Sequence, residues 1–146
     1  MSHPFSYEET GKTLSALWLF AILNTLFRDI HQLVVDTTIQ EILTGHMNGN
    51  AVTEMVLFYG AFAVELLLLA MLLSRLLKPA HARAMNLILV PIAGLGTLMA
   101  PPSDLDDYVF ASVFIATLAV IFVLAWNWKD AAETPDASLA SIGGQR

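Results

Sequence analysis

Arg28, Asp29 and His31 interrupt a segment that is otherwise apolar enough to cross a bilayer, and ionisable groups at membrane depth mark sites that bind or move charge. Placed on a helical wheel at 100° per residue, Asn24, Thr25, Arg28, Asp29, His31, Gln32 and Asp36 share a sector of about 160°. Leu23, Leu26, Phe27, Ile30, Leu33 and Val34 fill the opposite arc. The segment thus offers lipid an apolar face and the protein interior a polar one. Glu65, in the next apolar segment, is the natural partner for Arg28. At 1.5 Å per residue Arg28 lies about 21 Å from Leu14, and Glu65 lies about 18 Å from Leu77 on the antiparallel segment. An ion pair between them either holds the helices together or forms part of a proton, ion or ligand site, and the spacing leaves both readings open. His31 suits a proton relay, because its ordinary pKa is near 6.5, or simply a hydrogen-bonded histidine at the outer interface. A bis-histidine haem is not expected, since His46 and His81 fall on opposite sides of the membrane; no cofactor and no metal is expected. Glu41, His46 and Glu54 match no metal-binding spacing.

The elements that carry these groups follow from composition. Of 146 residues 56% are hydrophobic and 14% charged, and the mean hydropathy is +0.64, against about 25% charged in an ordinary soluble domain. The expected fold is all-α: a four-helix transmembrane bundle over residues 1–130, with spans at 14–35, 53–77, 84–100 and 108–128. Residues 131–146 read as a small, polar, disordered tail. No room remains for a second soluble domain, and the first span reads as an uncleaved helix. A net charge of −6 argues against nucleic acid as a partner, and the absence of cysteine removes disulfides, thiolate catalysis and cysteine-held metal.

Local signals sharpen the connections. Asp36 to Leu43 continues helical spacing, with Gly45 as its stop and Asn50 as a cap for the second span. Pro101-Pro102 ends the third span, and Ser103, with Asp106 three residues on, reads as the cap of the fourth. Small residues at Gly96/Ala100, Ala93/Thr97 and Ser112/Ala116 read as helix-packing pairs, Asn86 as a hydrogen-bonding residue between helices, and Trp18, Trp126 and Trp128 as an interfacial belt.

Leu17-Trp18-Leu19-Phe20, Asn24, Phe27-Arg28-Asp29-Ile30-His31, Glu65, Leu73-Ser74-Arg75-Leu76-Leu77, Arg83 and Asn86 together resemble an uncharacterised bacterial family of small four-helix integral membrane proteins. The resemblance covers about the first two-thirds of the chain and implies no established activity. In helix number and length the chain is also distantly similar to the DoxX-like small membrane proteins, which implies a place beside quinone-linked oxidoreductases.

The function expected from these residues is a small transporter or channel-like protein with an intramembrane polar site of Asn24, Arg28, Asp29, His31, Gln32 and Glu65. The alternative is a non-catalytic accessory subunit of a larger membrane complex. An enzyme ranks last, since no nucleophile, metal or cofactor motif is present. The expected setting is the bacterial inner membrane, as a homo-oligomer or beside a membrane partner.

Orientation follows from basic residues: Lys12, Arg75, Lys78, Arg83, Lys129 and Arg146 lie in the N-terminal tail, second connection and C-terminal tail, and none lies in the other two connections. Both termini should therefore be cytoplasmic. Reporter fusions at Lys78 and Arg146 are expected to read inside, and those at Gly49 and Asp104 outside. An external signal at Lys78 would reverse the topology.

Overall fold

The computed structural model describes residues 7–34, 36–47, 50–99, 102 and 104–128. The long first helix, α1 (Tyr7–Gln32), begins earlier than hydropathy alone suggests. Glu8 and Glu9 stand in its first turn, where carboxylates favour the positive helix end, and Lys12 bridges to Glu8 at 2.6 Å one turn on. Helix α2 (Asp36–Leu43) is followed by Gly45 at φ 77°, a left-handed stop that glycine adopts without strain. Between them and the next helix lies a small antiparallel hairpin, β1 (His46–Met47) with β2 (Asn50–Ala51), paired His46 to Ala51 and Met47 to Asn50.

Helix α3 (Glu54–Leu76) is capped by Thr53, whose Oγ1 accepts from Val56 N at 3.3 Å. Asn50 is therefore not the cap: it is paired in β2, three residues too early. Helix α4 (Pro79–Met99) opens on Pro79, whose missing N–H is no loss in a first turn. Helix α5 (Leu105–Asn127) is capped by Asp104, whose side chain accepts from Asp107 N at 3.0 Å. The cap thus falls one residue later than Ser103, which lies outside the described residues, as does the tail read as disordered.

α1 packs against α3 and α5, and α4 packs against the same two. The N-terminal end of α1 meets the C-terminal ends of α3 and α5: a Cβ on Gly11 would lie 2.9 Å from the Ser74 carbonyl oxygen and 3.7 Å from the Trp128 ring. Buried Leu14, Trp18, Ala70, Ala82, Leu118 and Ile121 form the core toward this end. A neutral polar cluster crosses it. Trp18 Nε1 donates to Asn86 Oδ1 at 2.6 Å, and Asn86 Nδ2 donates to Ser74 Oγ at 3.0 Å. Because an indole N–H only donates, it sets which way the amide faces. Asn86 thus joins α1, α3 and α4, as its type suggested.

Two packing expectations are corrected. Trp18 is fully buried and Trp128 nearly so, both within the hydrophobic core, leaving Trp126 exposed among the three. The close helix approach occurs at Gly11 rather than at Gly96, Ser112 or Ala116: nothing lies within 4 Å of a Cβ on Gly96, and Ser112 and Ala116 are exposed.

α1, α3 and α5 are long and apolar enough to cross a membrane, over Glu8–Gln32, Glu54–Leu76 and Leu105–Asn127. α4 is a fourth long helix, with Arg83, Asn86 and Pro91 along it. Leu23, Leu26, Phe27, Ile30, Leu33 and Val34 are exposed, as the wheel of α1 requires.

Gly11 supplies a test. Gly11→Ala drives a methyl into backbone that cannot yield, and is expected to destabilise by about 1–3 kcal/mol despite the gain in helix propensity. Gly60→Ala, with open space around its Cβ, should be neutral or stabilising by up to about 1 kcal/mol. Thermal unfolding in mild detergent compares the two.

Candidate functional site

Asp107 sits in the first turn of α5, where the helix N-terminus favours a negative charge, and its side chain is 1% exposed. Arg28 donates to it twice, Nε to Oδ1 at 2.8 Å and Nη2 to Oδ2 at 3.1 Å. Gln32, one turn along α1, donates to Oδ2 at 2.7 Å. The fork-on-carboxylate arrangement is the strong form of an ion pair. It fastens the end of α1 to the start of α5.

Arg28 therefore pairs with Asp107, and its expected pairing with Glu65 is corrected. The reason is register. Gly11 is level with Ser74 where α1 and α3 touch. From that level Arg28 lies 17 residues along α1, about 26 Å, while Glu65 lies nine residues along α3, about 14 Å. The azimuth is wrong as well, since nine residues at 100° place Glu65 half a turn from buried Ser74. Glu65 is exposed on the outer face of α3, and no ion-pair partner is found for it among the described residues.

The remaining residues divide. Asn24 faces inward and donates from Nδ2 to the Phe110 carbonyl at 2.9 Å, a second α1–α5 tie one turn below Arg28. His31 lies at the rim, its Nε2 2.9 Å from Asp106 Oδ2, with side chains 56% and 43% exposed. A pair so open to solvent adds about 0–1 kcal/mol, and it leads outward rather than into a relay. Asp29 is exposed on one side and lines a cavity on the other. The side chain of Asp36 lies outside the described residues. The structure turns Asn24, Arg28 and Gln32 toward α5, and the partners Asp107 and Asp106 were not named by the sequence reading. The run Asp104-Leu105-Asp106-Asp107 already had a sufficient explanation as a helix start, and that concealed its second use. The signal was available in the position of Arg28 only four residues from the end of α1, level with the first turn of α5.

Directly below the Arg28–Asp107 clasp the four long helices separate around a cavity of about 330 Å³. Its walls are mainly apolar: Leu66 and Leu67 from α3, Leu89 and Ile92 from α4, Phe110 and Phe114 from α5. Asn24, Thr25, Arg28 and Asp29 supply polar groups along α1, and Thr97 one from α4. Small residues Ala63, Ala93, Gly96 and Ala111 create the space, so the residues expected to bring helices together instead hold a void between them. Among the described residues no three His, Asp or Glu side chains gather to hold a metal ion, and Glu41, His46 and Glu54 form no such group.

Three helices long and apolar enough to cross a membrane, beside a mainly apolar cavity whose polar groups lie mostly on α1, have the build of an α-helical membrane protein. The chain belongs to the family described as "Family of unknown function (DUF6326)", which matches residues 3–134. No curated protein and no solved structure matches it.

A double-mutant cycle tests the clasp. Arg28→Leu strands a buried carboxylate and is expected to cost about 3–5 kcal/mol, and Asp107→Leu strands the guanidinium. The double replacement should recover a large part of the loss. Arg28→Leu with Glu65→Leu should instead be additive within about 0.5 kcal/mol. Equal coupling in both cycles would refute the assignment.

Proposed function

We propose that the chain is an integral membrane protein of four spans with both termini inside, and that it binds and moves a small amphipathic molecule. The apolar body of that molecule occupies the cavity, and its polar head meets the α1 wall. The observation that carries this reading is the cavity itself, apolar over most of its wall and polar along Asn24, Thr25, Arg28 and Asp29. Binding sites for small molecules have this build: a mostly apolar hollow with a few fixed polar groups.

Charge indicates the head group. The Arg28 guanidinium is matched by Asp107, and no hydrogen bond or ion pair is found for Asp29 among the described residues. The site is left with one carboxylate more than it has cations. A head that donates hydrogen bonds or carries positive charge complements it; an anion does not. Four helices of this length enclose a single molecule rather than a water-filled pore, which favours a carrier over a channel.

A second reading, an accessory subunit of a larger membrane complex, draws support from the clasp. Arg28 and Gln32 both donate to Asp107 inside the chain, as structural residues do. Such a subunit would need no vacant cavity, and the reading ranks below the first for that reason.

Binding of a fluorescent lipophilic amine to the purified protein in lipid nanodiscs tests the proposal. Ala93→Phe, which fills the cavity, should weaken binding at least about tenfold, or 1.4 kcal/mol, while the protein remains folded. Asp29→Asn should weaken the amine more than an alcohol with the same tail. Equal binding to wild type and Ala93→Phe, with a co-purifying partner of fixed stoichiometry, would favour the accessory subunit.

A further inference from the structure

Glu65 stands eleven residues from either end of α3, about 16 Å from each, so in a spanning helix it lies at the midplane of the bilayer. Its side chain is exposed, and Phe58 and Phe62 before it and Leu69 and Leu72 after it are exposed too. Only Ala70 and Ser74 of α3 are buried, so most of this helix finds no cover within the chain. Hydrocarbon offers a carboxyl group neither donor nor acceptor, so an acidic residue left at that depth is costly unless another group meets it. Among the described residues no basic side chain reaches it. Arg28 is committed to Asp107, while Lys12, Arg75, Lys78 and Arg83 cluster toward the opposite ends of the helices.

We propose that a second copy of the chain covers this face. α3 packs on α3 about a two-fold axis along the membrane normal, and the two Glu65 carboxyls hydrogen-bond to each other at the midplane. This rests on the reading that α3 crosses a bilayer. Two copies inserted in the same orientation carry every residue at the same depth, so a two-fold contact through this face brings Glu65 against Glu65 with no adjustment. The chemistry is self-complementary as well: a neutral carboxyl both donates and accepts, so each satisfies the other without a base. Ala61, one turn before Glu65 on the same side, lets the backbones approach as small residues do at membrane helix contacts. A partner of another kind would have to supply a group at this one depth; a second copy does so by symmetry.

The natural lack of cysteine makes the test direct. Single replacements Phe58→Cys, Ala61→Cys, Leu69→Cys and Leu72→Cys, in vesicles treated with copper–phenanthroline, are expected to form disulfide-linked dimers. Phe27→Cys on α1 and Val123→Cys on α5, equally exposed, should not. In detergent titrations Glu65→Leu should weaken the dimer about tenfold, since it removes the hydrogen bond between the two helices, and Glu65→Gln should retain most of it. Cross-linking at α1 or α5 in place of α3, a monomeric mass, or an unchanged dimer in Glu65→Leu would overturn the proposal. A larger assembly containing another protein at this face would overturn it equally. Labelling of Ala61→Cys by a membrane-impermeant maleimide would show that α3 is not in the bilayer and remove both readings. Absence of cross-links with Ala61 shielded from water removes the interface alone.

Discussion

Asp107 is closed off from water, and a carboxylate in that position persists only where protein donors replace its hydration. Three are supplied from one helix: Arg28 Nε, Arg28 Nη2 and Gln32 Nε2. Much of the architecture follows from this requirement. Arg28 and Gln32 stand one turn apart, so both reach the same carboxylate only if α1 runs alongside the first turn of α5. Asn24, a further turn back, then meets the Phe110 carbonyl. The stripe Asn24–Arg28–Gln32 is in effect a ladder that locks the register of α1 against α5. Asp104 contributes by capping α5 through the backbone N–H of Asp107, which holds the carboxylate at the height Arg28 reaches.

The opposite end is held by different chemistry. Trp18, Asn86 and Ser74 join α1, α4 and α3 without a formal charge, and Gly11 allows the α1 backbone to touch that of α3. A neutral network tolerates small displacements, whereas the charged clasp does not. Between the two ends the cavity borders the core: Phe114, Leu67, Leu89 and Ala93 belong to both.

Much of this was legible in the sequence, and the misses share a cause. The long helices, the short helix ended by Gly45, the inward stripe of α1 and the joining role of Asn86 all follow from periodicity and residue type, which act locally. A helical wheel gives the direction a side chain faces but not how far one helix slides along another. That is why Arg28 was matched to Glu65: the depth was measured from Leu14, while α1 in fact begins at Tyr7 and meets α3 through Gly11. Trp18 misled for a related reason. A tryptophan near the end of an apolar segment suits the interface, and only the arrival of Asn86 from another helix makes burial the better solution.

The unequal fastening of the helices bears on how a molecule would enter the cavity. α1 is tied to α5 by the charged clasp and to α3 by the contact at Gly11, so neither gap beside it opens without breaking a strong or tight interaction. The second half of α4 carries no such tie. Pro91 removes one backbone hydrogen bond in mid-helix and weakens the continuity of the two halves. Beyond it Ala93, Gly96 and Thr97 line the cavity, a Cβ on Gly94 would meet nothing nearer than a Leu118 methyl at 3.9 Å, and the Thr97 hydroxyl is turned back onto the Gly94 carbonyl at 2.7 Å. Moving this segment separates apolar surfaces and exposes no buried charge. For a cavity that takes a ligand as proposed above, α4 is thus the segment whose displacement breaks no charged contact, on the far side of the cavity from the polar wall that a ligand's head group would meet.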